Sequence, residues 1–294
     1  MGYGSYTATD WNKLKASRKI ETSSTNQIFT ARQCDSRYDP KFIGNREARD
    51  SEEHPLTTPI IIGVDVTGSM GYLSTQIIKE SLNDLMQQFY SGEEISDPQL
   101  MFAAIGDAVC DSAPLQVTHF ESDIRIAEQL MDLWLENRGG DIPEDYELLW
   151  YFAAKHTDID SYNKRGKKGF CFTIGDAGCH ELLNTGSIKR IFDDDVKFNI
   201  SSVKLAESAS EKYELFHIVI GDQSFNFDRI LPGRIITIQK KEVIYLTDVI
   251  MSVIQYVNGT DKDTILSRKT EVTRTLIDNV LNSICINRFG TIEL

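Results

Sequence analysis

The chain has 294 residues, 41 % of them hydrophobic, and a formal net charge of −13 at pH 7. The hydrophobic share argues against wholesale disorder and for a packed core, either one α/β domain with extensions or two small domains. Such an acidic surface repels nucleic-acid phosphate and anionic lipid, so neither nucleic acid nor membrane is the expected partner; cations and basic protein patches suit it better.

Residues 1–57 are polar and lack a sustained apolar period, which predicts an N-terminal arm or an irregular cap. Within them Asn45–His54 mixes both signs of charge and reads as a solvated loop. The pattern then changes. Pro59–Val64 is a nearly continuous β-branched run ending at Asp65, the mark of a strand buried on both faces. Leu73, Ile77, Ile78, Leu82, Leu85, Met86 and Phe89 recur at three- and four-residue steps and predict a helix. Leu100–Ile105 is a second buried strand, ending at Gly106-Asp107, and Leu115–Phe120 alternates like a half-exposed edge strand. Helices are expected near 123–136 and 144–156, a third strand at Gly169–Ile174, a fourth at Glu214–Ile220 and a fifth at Arg234–Ile238. A helix from about Leu246 to Tyr256 closes the unit, and 264–287 carries a further helical period as a C-terminal extension. Strands alternating with helices imply an α/β fold: a doubly wound, mostly parallel sheet with helices on both faces and one antiparallel edge strand.

In such a sheet, ligands bind beyond the carboxyl ends of the strands. Four strands deliver an aspartate there: Asp65, Asp107, Asp176 and Asp222. Clustered carboxylates raise one another's pKa unless a cation sits among them, and a hard divalent ion prefers such oxygen ligands. In Asp65-Val66-Thr67-Gly68-Ser69 alternate residues carry oxygen, and Gly68 eases a tight turn into the helix. Two neutral hydroxyls leave Mg²⁺ electron-poor and seeking another anionic ligand, which a partner's Asp or Glu can supply.

The run Ile61–Met70 resembles the metal-ion-dependent adhesion site of von Willebrand factor A (vWA) domains, whose pattern is Asp-x-Ser/Thr-x-Ser after the first strand. The resemblance covers roughly residues 58–257 and implies metal roles for Asp65, Thr67 and Ser69. It also implies one for Asp176, which matches the family's aspartate at the end of the fourth strand. In Gly139-Gly140-Asp141-Ile142-Pro143-Glu144-Asp145, Asp141 stands where the family has a threonine. That stretch is similar to the Gly-Gly-Asp-x-Pro-Glu-Asp variant of some intracellular members. Asp141 is therefore a candidate ligand, or else a first-turn aspartate of the next helix. Asp107, Gly68 and Glu144 are candidate supporting or rim residues, whereas Asp107 and Asp222 also read as ordinary turn residues.

The resemblance implies Mg²⁺, with Mn²⁺ or Ca²⁺ as alternatives. It also implies a non-catalytic adaptor, bacterial or phage, working with AAA+ ATPase, kinase or stress-response machinery. A second reading is an assembly subunit with a vestigial metal site. A third is an Mg²⁺-dependent phosphoryl-transfer enzyme with Asp65 as nucleophile. Such enzymes carry a second aspartate where this chain has Thr67, and Lys167 and Lys168 precede their strand rather than follow it. Cys179-His180-Glu181 reads as a loop rather than a zinc or nucleophile site. His119, His156 and His217 lie in core-like patterns, and Tyr146, Trp150, Tyr151 and Phe152 read as core, with an exposed subset available to rim a binding face. Met1–Tyr6 lacks the charged-then-apolar pattern of a secretory leader. No apolar run reaches membrane-spanning length, and the five cysteines are odd in number and scattered, so a cytoplasmic location is expected.

Overall fold

The computed structural model of the chain describes residues 4–68, 70–91, 95–136, 143–221 and 226–285. Its strands in chain order are β1 (Arg46–Ala48), β2 (Thr58–Asp65), β3 (Pro98–Ile105), β4 (Leu115–Val117), β5 (Thr157–Ile159), β6 (Gly169–Gly175), β7 (Leu182–Leu183), β8 (Ile200–Ser201), β9 (Tyr213–Ile220) and β10 (Ile235–Ile238). Six of them form one sheet in the order β10-β9-β6-β2-β3-β4, parallel throughout except for β4 against β3. The chain thus leaves β2 toward β3 on one side and later returns to lay β6 on the other. That makes the carboxyl ends of β2 and β6 the topological switch point, where the crossovers diverge and a crevice opens.

Both faces of the sheet are covered, which is why its strands read as apolar runs. Ile60, Ile62 and Val64 point into a core shared with helices α3 (Gly71–Gln76), α4 (Leu82–Ser91) and, from the other end of the chain, α11 (Leu246–Val257) and α13 (Glu271–Ser283). Between α3 and α4 the helix makes one wide turn, Ile77–Ser81. Ile61, Met101 and Cys171 point the other way, into a core with α6 (Tyr146–Lys155) and α9 (Ser202–Lys212). Tyr146 through Ala153 are all buried, and α6 runs so close to β2 that a Cβ on Gly63 would lie 2.1 Å from Leu149 Cδ2. No exposed aromatic subset remains on this helix; its apolar residues are used up by packing.

Three expectations change. β4 is buried, not half-exposed: Val117 N–H donates to Tyr38 O at 2.9 Å, and Arg46 Nη2 donates to Val117 O at 3.0 Å, so the N-terminal segment seals that edge. Trp11, Leu14, Ile20, Ile28 and Tyr38 of that segment sit in the same core as β2. At about 2 kcal/mol for each large buried side chain, this fastens it firmly. Asn45–His54 is no solvated loop either, because Arg46–Ala48 pairs in parallel with β5 and Arg46, Ala48 and His54 are buried. Finally, the helical period after 260 divides into α12 (Lys262–Ser267) and α13, with Thr270 capping the latter by accepting from Thr273 N at 3.3 Å.

Candidate metal centre at the switch point

Asp65 ends β2 fully buried. The turn after it is pinned on both sides: Val66 N–H donates to Ile105 O at 2.9 Å and Met70 N–H to Thr67 O at 2.8 Å. Asp65 Oδ1 accepts from Thr67 N at 2.8 Å and from Thr67 Oγ1 at 2.7 Å, and Asp65 Oδ2 accepts from the Tyr146 hydroxyl at 3.2 Å. Thr67 Oγ1 also lies 3.0 Å from Glu144 Oε1. One hydroxyl proton cannot serve two acceptors at once, so a protonated Glu144 would satisfy both by donating to Thr67.

Glu144 precedes α6 and is held in place by its backbone, whose N–H donates to Gly178 O at 2.8 Å in the loop beyond β6. It is 6 % exposed, and among the described residues its buried Oε2 has no hydrogen-bond partner. Asp176 follows β6, which pairs with β2 in the register Val64↔Ile174. Its carboxylate lies 3.8 Å from Lys240 Nζ, and its charge acts on Asp65. Asp107, after β3, is buried; its Oδ1 accepts from the Cys110 N–H at 3.1 Å, the turn role expected of it, while its charge acts on Glu144. Gly68 is an exposed turn residue. Ser69, Asp141 and Asp222 lie outside the described residues.

The electrostatics follow from this crowding. Burial, with the charge of Asp176 adding, pushes the Asp65 carboxyl up to about 6 against the opposing bonds from Thr67 and Tyr146. Burial and then the charge of Asp65 push Glu144 up to about 8. Burial raises Asp145 as well, opposed by the Ala108 N–H that donates to it at 2.6 Å. Glu147 is raised well above the ordinary range by burial and by Asp145, and accepts from Cys179 Sγ at 3.2 Å.

Asp145, Tyr146, Glu147 and Cys179 are part of this site although sequence reasoning did not place them there. The usable signal was the unbroken acidic-aromatic run Glu144-Asp145-Tyr146-Glu147 at the start of a helix that is otherwise apolar. His180, 3.9 Å from Asp145 Oδ1 through Nε2, lies beside this acidic group. His217 is a core residue, stacked 3.9 Å from the Phe227 ring and bonded to Thr173 Oγ1 at 2.9 Å.

Among the described residues no three His, Cys, Asp or Glu side chains are grouped to hold a metal. The donor set at Asp65 is of another kind: the carboxyls of Asp65 and Glu144 sharing the Thr67 hydroxyl, a Glu144 oxygen with no hydrogen-bond partner among the described residues, and the charge of Asp176 acting from beyond β6. Those are hard oxygen donors whose mutual repulsion a divalent cation would relieve, so the residues present fit such an ion.

Fold and site together define an open, doubly wound α/β protein with an oxygen-donor cluster at its switch point. No family model matches the sequence, and no curated protein matches it. Among solved structures the chain is similar to proximal thread matrix protein 1 from the mussel byssus, described with a zinc-occupied MIDAS motif. The identity is 12 % over 67 % of this chain and 48 % of that one, with a TM-score of 0.43. It is also similar to the pilus adhesin SpaC from Lactobacillus rhamnosus GG, at 10 % identity over 76 % of this chain and 31 % of that one, TM-score 0.41. A third is the conserved hypothetical protein BatB from Bacteroides thetaiotaomicron, at 15 % over 56 % and 67 %, TM-score 0.32. This chain spans less than half the length of the first two.

Proposed function

We propose that this chain is a vWA-type, metal-dependent protein-binding module. Asp65 and Thr67, with Ser69, Asp141 and Asp176, would hold one divalent cation, Mg²⁺ in the first instance. When bound, the cation supplies a Lewis-acidic position to which an Asp or Glu side chain of a partner protein can bind. The observation that carries this reading is the pair of buried carboxyls, Asp65 and Glu144, sharing one hydroxyl at the switch point with no cationic side chain among the described residues bonded to either. Like charges so placed are costly unless an ion joins them.

The role is non-catalytic in this reading. Asp65 accepts three hydrogen bonds and is fully buried, which suits a fixed ligand better than a nucleophile that must reach a phosphoryl group. Adaptor work in the cytoplasm is the setting we propose. The test is calorimetric titration of the metal-stripped chain with Mg²⁺, followed by capture of host proteins in Mg²⁺ and in EDTA. Saturable heat and a partner lost in EDTA are expected. A chain that takes up no divalent ion, or a partner retained equally in EDTA, overturns the reading.

A further inference from the structure

Tyr146 occupies an unusual position. It is fully buried, its hydroxyl donates to Asp65 Oδ2 at 3.2 Å, and its phenol oxygen packs against Gly175 at the end of β6. The phenol therefore spans the two strand ends that form the switch point, from Asp65 at the end of β2 to Gly175 at the end of β6. Room for it exists only because residue 175 is glycine: a Cβ there would lie 1.8 Å from the Tyr146 oxygen. The ring is further held edge-on by His217, with centroids 4.6 Å apart, and against Phe227 at 5.9 Å. This is a hydroxyl aimed by the fold at one oxygen of one carboxylate.

The consequence lies in how Asp65 can meet an ion. Its Oδ1 faces Thr67, and its Oδ2 is turned to a phenol buried beneath Gly175. A carboxylate so divided offers one oxygen to a cation on the Thr67 side. Mg²⁺ requires compact octahedral coordination at short distances, which single-oxygen carboxylate ligands satisfy. Ca²⁺ is larger, takes six to eight oxygens and often grips a carboxylate by both. For Asp65 to present both oxygens, the Tyr146 bond must break, leaving a buried hydroxyl proton without an acceptor.

We infer that Tyr146 is a positioning residue that holds Asp65 to single-oxygen ligation and thereby sets the site's preference for Mg²⁺ over Ca²⁺. This inference rests on the metal-binding reading above. The test is Tyr146→Phe, which keeps the packed ring and removes only the hydroxyl. The metal-stripped chain and its variant would each be titrated with Mg²⁺ and with Ca²⁺ by calorimetry, with a melting curve to verify folding. In the variant, Mg²⁺ affinity is expected to fall by about tenfold, the usual scale for losing a group that orients a ligand. Ca²⁺ affinity is expected to hold or tighten, so the ratio of the two affinities falls by about tenfold or more. Gly175→Ala, which displaces the phenol from below, is expected to shift the ratio the same way. An unchanged ratio in a folded Tyr146→Phe protein overturns the inference while leaving the metal site standing. Absence of any metal heat in the wild type overturns both.

Discussion

Two acidic regions of this molecule are built to opposite designs. Where β1 meets β5 and the following helix α7 (Asp160–Arg165), the buried carboxylate of Asp160 and the half-buried one of Asp50 each have a cation. Asp160 Oδ1 is 3.0 Å from Arg49 Nη1, its Oδ2 is 2.7 Å from Lys164 Nζ, and Asp50 Oδ2 is 2.5 Å from Arg165 Nη1. Burial alone would push Asp50 and Asp160 up, but these partners outweigh it and hold both below the ordinary carboxylate range. At the switch point Asp65 and Glu144 are also buried, yet their bonds go to a threonine and a phenol, and both are pushed up. The first region is complete as a salt-bridged joint. The second has a charge deficit that a bound cation would fill.

That contrast can be broken in several ways. The largest effect is expected from Asp65→Ala, which should abolish saturable Mg²⁺ heat in calorimetry while the chain stays folded; retained metal binding would mean that the switch point is not the site. Asp160→Ala should do the reverse. It removes the acceptor of the Asp50 N–H and of two cations, so denaturant unfolding should show a loss of about 2 kcal/mol, with Mg²⁺ affinity unchanged.

The pH dependence sharpens the comparison further. Asp65 and Glu144 hold protons to higher pH in the folded chain than in the unfolded one. Their contribution to stability is therefore full below the ordinary carboxyl range and is lost as pH rises through about 6 and about 8. Metal-free melting temperatures should fall across that window, and Mg²⁺ affinity should rise across it as protons leave the ligands. Asp50 and Asp160 have the opposite sign: their stabilisation is present above the ordinary range and disappears only as the protein is acidified below it. The smallest effect is expected from Glu144→Gln, which cannot ionise but keeps an oxygen for Thr67. It should raise the metal-free melting temperature above pH 8 by about 2–4 °C for each kcal/mol recovered, and leave it unchanged near pH 5. Equal shifts at both pH values would show that Glu144 ionisation carries no cost.

The central sheet was legible because burial on both faces writes itself into the chain as runs such as Pro59–Val64 and Gly169–Ile174. The places of Asp65 at the end of β2 and of Asp176 just beyond β6 were legible for the same reason: each stands where a readable strand stops. What the sequence hid depends on contacts between distant segments. Glu144 reaches Thr67, 77 positions away, only because its backbone is tied to Gly178. Tyr146 looks like any core aromatic until Gly175 is seen to make room for its hydroxyl. The arm was opaque because its anchors are few and scattered: Trp11 and Leu14 are the only two buried residues of the otherwise polar helix Ala8–Arg18, and Tyr6 and Tyr38 enter the core from irregular backbone.

The N-terminal segment's grip on β4 bears on how this protein can meet others. A bare strand margin invites a foreign strand to extend the sheet, and with it adventitious self-association. Here Tyr38 and Arg46 already take up Val117's backbone groups. At the far margin Cys285 N–H donates to Gly233 O at 2.8 Å, just ahead of β10. A visitor seeking β-augmentation at β4 would first have to peel away residues anchored in the core, so that flank of the sheet is closed, and a partner of the kind proposed would be left the crevice at the strand tips.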